Sequence, residues 1–444
     1  MQGSVGEYKV YRRRWAGLLV LMVMNIVISW GWLSFAPVSN YSQEYFGLSS
    51  MTPINWLSTV AFFTYVVISP VVPRIVNKRG IRAAVWISSL LTLLGFWVRY
   101  IGVKVGKGGF GLVMLGQIFI GFAQPFVLNI PTYYSDLWFT SNARVSATAL
   151  ASLANPFGAA IGQLVNPILA TKASEIPQMV LITAIVATVP AIFALLIPAK
   201  PPSPPCVSSM EKKLPLKEAL KVVARSKNFW LIFLMESFAV YLGYFNAYSS
   251  LINQIYEPYG YSTDQAGYIG AVLIVAGLVA AAILSPILDR RHAFLTAIRV
   301  QVPLIGLAFI AIIFTPTSPP NLVGPMVVNA ILGAASFSLL PVSLEYCVEQ
   351  THPVSPEVTS TILWMGGQFL GGIFLIIMDA MRDKEPGGSA GRPERNMWAA
   401  LVFEGVGAAL VIPAAFFVKK RKAGRGRVEA DQEAARAAAA RRAE

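Results

Sequence analysis

Residues 199–228 open as Ala199-Lys200-Pro201-Pro202-Ser203-Pro204-Pro205 and then carry Lys212, Lys213, Lys217, Lys221, Arg225 and Lys227 before Asn228. The proline run is extended and a poor helix former. This polar, basic stretch divides a chain otherwise made of apolar runs. Six precede it, near 16–38, 54–76, 82–103, 109–132, 145–170 and 177–198, and six follow, near 229–255, 265–288, 294–315, 321–346, 358–380 and 398–418. A hydrocarbon core of roughly 30 Å needs about 20 apolar residues in a helix, and these runs reach it. A soluble protein cannot hide so many. The expected fold is therefore all-α and polytopic in a membrane. It comprises a cytoplasmic N-tail over 1–15, a six-helix bundle over 16–198, a cytoplasmic linker over 199–228, a second six-helix bundle over 229–418 and a basic C-tail over 419–444. The six-plus-six division points to a transporter.

Composition agrees. Of 444 residues, 55% are hydrophobic and 13% charged, with a mean hydropathy of +0.58; soluble domains carry about 25% charged residues. The net charge of +14 raises a nucleic-acid reading. The basic residues, however, sit mainly in loops and tails between the apolar runs, which is the positive-inside pattern, so no nucleic-acid partner is expected. With the N-terminus in the cytoplasm, 28 of the 36 Lys and Arg fall on the cytoplasmic side and eight outside. The first run follows Arg12-Arg13-Arg14 and is long enough to span, so it reads as an uncleaved helix. The expectation is a multi-pass protein, monomeric, in the plasma membrane, with both termini cytoplasmic.

Cys206 falls in the linker and Cys347 at the inner end of span ten, which suits neither a structural disulfide nor a metal site. His292 and His352 fall in cytoplasmic loops, and no Ser/His/Asp, metal or nucleotide motif lies in the spans. Neither an enzyme nor a cofactor is expected. Anionic lipid is the expected partner of the inner basic loops and of the C-tail that begins Lys419-Lys420-Arg421-Lys422. The stretch Leu214 to Arg225 is open to two readings, a basic amphipathic helix on the membrane face or a solvated linker. Asn40-Tyr41-Ser42 is an N-glycosylation sequon.

Glycine and proline recur within the spans. Gly158-x-x-x-Gly162 and Gly267-x-x-Gly270 suit close helix approach, and prolines such as Pro37, Pro125 and Pro156 allow breaks where a helix lines a cavity. Ionisable residues inside a span are costly and usually face a polar cavity. Glu236 in span seven and Glu404 in span twelve are of this kind, and Arg99 lies near the outer end of span three. Glu236 reads either as a proton-coupling carboxylate or as one that snorkels or pairs with another helix. Glu345 and Glu349 close span ten at the inner face, as a gate or as solvated residues.

Two loops carry a related pattern: Pro73-Arg74-Ile75-Val76-Asn77-Lys78-Arg79-Gly80 after span two, and Pro286-Ile287-Leu288-Asp289-Arg290-Arg291 after span eight. Both resemble the loop motif of the major facilitator superfamily, whose acidic and basic residues latch helices on the cytoplasmic side. By that resemblance Asn77, Lys78, Arg79, Asp289 and Arg290 are latch positions. Asn77 replaces the acidic residue in the first copy. Further matches run through most of the membrane region, roughly from Arg12 to Asp383. They include Ser39-Asn40, Asn55-Trp56-Leu57-Ser58, Gly116-Gln117, Ala123-Gln124-Pro125-Phe126, Leu251-Ile252-Asn253-Gln254 and Gln368. Together they resemble the feline leukaemia virus subgroup C receptor family, solute carrier family 49. The resemblance implies the major facilitator fold with 12 transmembrane helices, alternating access, and transport of choline and ethanolamine; haem export is also proposed for that family.

The resemblance places the family's substrate-contacting tryptophan at Trp32 and its glutamines at Gln124 and Gln368. The family's cage tyrosine falls at Asn246, a departure, with Tyr244, Phe245 and Tyr248 beside it. The chemistry is separate from the resemblance. A quaternary ammonium has charge but no N–H donor, and each aromatic face attracts it by roughly 0.5–2 kcal/mol. A choline site thus needs aromatic walls, plus an amide for the hydroxyl. Two other readings stay open. Trp32 also reads as an interfacial anchor, and membrane glutamines also bond neighbouring helices. Ethanolamine, another amine, a different small solute, or a receptor that kept the fold without transport are the alternatives to choline carriage.

Overall fold

The computed structural model describes residues 10–203, 214–235, 238–291, 294–351, 354–385, 387–388 and 391–417, with backbone alone at 141–142, 145, 228, 234–235, 238–240, 285–286 and 288–291. Glu236, Cys206, His292, His352 and the C-tail lie outside the described residues.

Among the described residues every regular element is helical. The first half contains α1 (Arg13–Trp32), α2 (Ser39–Phe46), α3 (Thr52–Ile68), α4 (Val71–Val105), α5 (Phe110–Ala123), α6 (Pro125–Leu128), α7 (Pro131–Trp138), α8 (Ser141–Leu169) and α9 (Ile176–Phe193). After α10 (Leu216–Arg225) the second half contains α11 (Lys227–Met235), α12 (Phe238–Tyr256), α13 (Thr263–Arg291), α14 (Phe294–Ile312), α15 (Val323–Thr351), α16 (Pro356–Ala380) and α17 (Trp398–Val411). The chain thus crosses and recrosses between a face that carries the two ends of the helical region and a far face.

The breaks have sequence causes. Proline lacks an N–H and suits a first helical turn, and it opens α3, α6, α7, α9 and α16. Span four is therefore three helices, not one, interrupted at Gln124-Pro125 and before Pro131. Asn25 Nδ2 donates to the Val127 carbonyl there at 3.1 Å, which meets the need of backbone freed in apolar surroundings. Span one ends at Trp32 and does not run helically to residue 38, because Pro37 opens a separate short 3₁₀ turn, Ala36–Val38. Gly80, at φ 78°, ψ 176°, breaks α4 between the second and third passes; that φ favours glycine.

Helices α8 and α13 pack together, as do α3 and α16. These pairs join the two halves. Outward faces expose Val67, Leu196, Ile283 and Leu410 at 59–76%, as lipid-facing helices do. The segment 216–225 is a helix, with Ala219 and Val223 buried and Lys217, Lys221 and Arg225 exposed. It packs near α16 and α11.

Candidate functional site

A cavity lies between the halves, midway through the helices. Its first-half wall is Trp32 from α1, Phe62 from α3, Gln124 at the break after α5, and Asn155, Pro156 and Ala159 from α8. Its second-half wall is Tyr241, Leu242, Phe245 and Asn246 from α12, Ile305 from α14, Ser336, Phe337 and Ser343 among others from α15, and Trp364 and Gln368 from α16. The cavity is narrow. Its empty space, open solvent at its mouth included, is about 720 Å³.

Among the described residues the walls are aromatic and aliphatic, and carry no ionisable acid or base apart from the Tyr241 phenol. Trp32 packs on Phe62 with ring centres 5.2 Å apart, and Phe245 meets Phe337 edge-on at 5.3 Å. Tyr241 turns its hydroxyl to the carbonyls of Val302 and Ala408, donating at 3.1 and 3.2 Å, so its ring is what the cavity receives. Asn246 Nδ2 donates to Gln368 Oε1 at 3.4 Å. Three buried polar atoms of the lining, Trp32 Nε1, Gln124 Oε1 and Asn155 Nδ2, have no partner among the described residues. Buried polar atoms are normally satisfied, so these three are fitted to bond a solute or its water.

Of the residues singled out from sequence, the structure brings Trp32, Gln124, Phe245, Asn246 and Gln368 together. It places Tyr244 and Tyr248 elsewhere. Positions 242, 245 and 246 of α12 face the cavity, whereas 244 and 248 lie further round the helix beside 241, which stands at the cavity's edge. Tyr244 stacks on Phe374 at 4.3 Å, inside the second bundle. Tyr248 shares a hydrogen bond with Tyr256 at 3.2 Å. Phe62, Asn155, Tyr241 and Trp364 are lining residues that sequence reading missed. A usable signal existed for two of them, since Tyr241 lies four before Phe245 and Trp364 four before Gln368.

Asn77, Lys78 and Arg79 are exposed at the face of the chain ends, and no salt bridge involves them among the described residues. Asp289 and Arg290 fall in the last turns of α13, with side chains outside the description. Glu345 is buried and accepts from Thr148 Oγ1 at 3.2 Å, linking α15 to α8. Thr132 and Ser360 share a bond of 2.8 Å close by. On the far face, Asp379 accepts from Thr52 and Asn55, each at 2.8 Å. Gln254 Nε2 donates to Asn55 at 2.6 Å, and Arg382 donates to both Asp379 and Gln254. Burial holds the Arg382 guanidinium below its ordinary value, against the opposing pull of Asp379. Polar bridges thus join the halves at both faces, with the cavity between. Glu404 is fully buried within the second bundle, and neither carboxyl oxygen has a partner among the described residues.

This geometry, two helical halves closing on a central pocket, is that of a membrane carrier. The family model of the Major Facilitator Superfamily matches residues 21–376. Solute carrier family 49 member A3 of Danio rerio is 31% identical over 85% of this chain and 80% of its own length. Choline/ethanolamine transporter FLVCR2 of Homo sapiens is 29% identical over 95% of this chain and 81% of its own. Choline/ethanolamine transporter FLVCR1 of Felis catus is 29% identical, over 82% and 67%. Among solved structures, the major facilitator transporter FucP in its outward conformation covers 92% of this chain and 100% of that one, with a TM-score of 0.66 at 14% identity. The chain belongs to the Major Facilitator Superfamily and, within it, to solute carrier family 49, and it is a membrane transporter.

Proposed function

We propose that this transporter carries a small amine of the choline and ethanolamine class by alternating access. The observation that carries the reading is the cavity itself, whose uncharged aromatic walls surround three unpartnered indole and amide atoms. A quaternary ammonium needs π-faces in place of donors, and its hydroxyl needs an amide. Trp32, Phe62, Tyr241, Phe245 and Trp364 supply the faces; Gln124 and Asn155 supply the amides. The narrow free space suits a small solute better than a porphyrin, so haem is the weaker reading. The relatives named choline/ethanolamine transporters support the same class.

The bridges at Asp379 and at Glu345 are the two gates in this proposal. Opening one while the other holds exposes the cavity to each side in turn. The face of the chain ends is assigned to the cytoplasm from the distribution of Lys and Arg.

Purified protein in liposomes tests the reading through uptake of radiolabelled choline and ethanolamine. Saturable uptake of either, inhibited by the other, is expected. Absence of saturable uptake of both, from protein that still unfolds cooperatively, would overturn it.

A further inference from the structure

Among the described residues, Arg99 is a buried cation with no carboxylate in contact. It is 0% exposed on α4, within the first bundle. Its Nη1 donates to the Gly31 carbonyl at 2.6 Å and to Gln117 Oε1 at 3.0 Å, and its Nη2 to Ser34 Oγ at 3.1 Å. The rings of Phe35 and Phe96 flank it at 5.1 and 4.9 Å. So costly a burial is assembled around one point, the place where α1 stops.

That point lies at Trp32. A helix end leaves its last carbonyls without partners, and hydrocarbon offers no water to take them. Here the Ser29 carbonyl accepts from the Leu33 N–H at 3.1 Å, and the next three accept from side chains, with the Ser34 N–H a further donor to Gly31 at 3.4 Å. Ser34 Oγ donates to the Trp30 carbonyl at 2.8 Å, Arg99 to Gly31, and Gln117 Nε2 to the Trp32 carbonyl at 3.0 Å. Asn166 Nδ2 donates to the Ser34 carbonyl at 2.7 Å. Gln117 joins the two ends of the device, accepting from Arg99 and donating to Trp32. The close approach depends on Gly116, where a Cβ would lie 2.5 Å from Arg99 Cγ.

We infer that Arg99 and Gln117 are positioning residues that set the place of the Trp32 ring in the cavity wall, and so set affinity for the amine. The inference rests on the proposed substrate class only through the kinetic readout. Neither residue lines the cavity, so neither touches the solute.

Gln117→Glu separates positioning from charge compensation. It leaves an acceptor for Arg99, and adds a countercharge, but removes the donor to the Trp32 carbonyl. If the pair served stability alone, the variant would melt at or above the wild-type temperature with an unchanged choline KM. The expected result is an unchanged or higher melting temperature with KM raised about three- to tenfold, equivalent to one lost hydrogen bond, and kcat moved less. In a Trp32→Phe background the same change should shift KM less than it does with Trp32 present, because coupled residues are not additive. Wild-type KM in Gln117→Glu, or full additivity, would overturn the proposal.

A second readout needs no substrate. In protein labelled with 5-fluorotryptophan, the Trp32 fluorine resonance is assigned by its loss in Trp32→Phe. Arg99→Lys and Gln117→Glu should each displace or split that resonance; an unmoved resonance in both would overturn the positioning role. If wild-type protein takes up no choline, the substrate reading fails, and this resonance still decides the positioning.

Discussion

Asn55 of α3 and Asp379 of α16 meet at 2.8 Å across the interface of the two halves on the far face. They are 324 residues apart in the chain. The same carboxylate also accepts from Thr52 and is paired with Arg382, whose Nη2 lies 2.7 Å from Oδ1. Asp379 is thus the hub where first-half amide and hydroxyl donors meet a second-half carboxylate. It lies on the far-face side of the cavity, where the proposed function makes its bonds one of the two gates.

Asp379→Ala removes the acceptor that Thr52, Asn55 and Arg382 share. Loss of hydrogen bonds to a charged group, each worth about 1.5–3 kcal/mol, should favour the state open to the far face. The measurement is labelling of Ser336→Cys, a small residue of the cavity wall, in protein with Cys206→Ser and Cys347→Ser. A membrane-impermeant thiol reagent applied outside should react about tenfold faster after Asp379→Ala. An unchanged rate would remove Asp379 from the gate.

Trp32→Ala should raise the choline KM roughly two- to thirtyfold, the equivalent of about 0.5–2 kcal/mol for one cation–π face, while surface expression changes little. Parallel loss of expression and transport would assign Trp32 to folding. Trp32→Phe keeps a face and should fall between.

Phe245→Leu keeps bulk and removes a π-face. Choline depends on such faces, whereas ethanolamine brings N–H donors that bond amide oxygens. The choline-to-ethanolamine ratio of kcat/KM should therefore fall about threefold or more. A ratio that does not move would show that Phe245 only fills space.

Tyr248→Phe is the contrasting case. It deletes the hydroxyl bonded to Tyr256, at the end of a chain that continues to Thr315 at 2.8 Å. Stability should drop by about 1 kcal/mol, read as a lower melting temperature, with KM unaltered. A changed KM with unaltered melting would return Tyr248 to the site.

Gly158→Ala and Gly333→Ala test the packing of each half. A Cβ at Gly158 would lie 2.0 Å from the Ile26 carbonyl oxygen, and one at Gly333 lies 1.7 Å from that of Leu273. Both obstacles are backbone, so the helices α1 and α8, or α13 and α15, must move apart. Each substitution should destabilise by about 1–3 kcal/mol, seen as a lower melting temperature in detergent. Wild-type melting in both would mean that the helix pairs can separate freely.

Residues 199–228 and the runs on either side were sufficient to read the helical membrane fold. Span length depends only on local composition measured against bilayer thickness. Pro37 and Pro125 likewise marked where helices one and four break, though not how the freed carbonyls would be satisfied. The rotation of α12 was only partly legible. Asn246, Ser249, Ser250 and Asn253 mark one face at helical spacing, but tyrosine rings pack between helices as readily as around a solute, so Tyr244 and Tyr248 read as well as Phe245 and Asn246. The pairing of Asn55 with Asp379, and of Arg99 with the end of α1, was hidden. Those contacts depend on how helices distant in sequence cross and turn. Crossing is set by where small residues such as Gly158 and Gly333 let backbones touch. Local composition therefore determined the number of helices and their grouping into halves, while only packing between them decided which side chains meet in the cavity and at its gates.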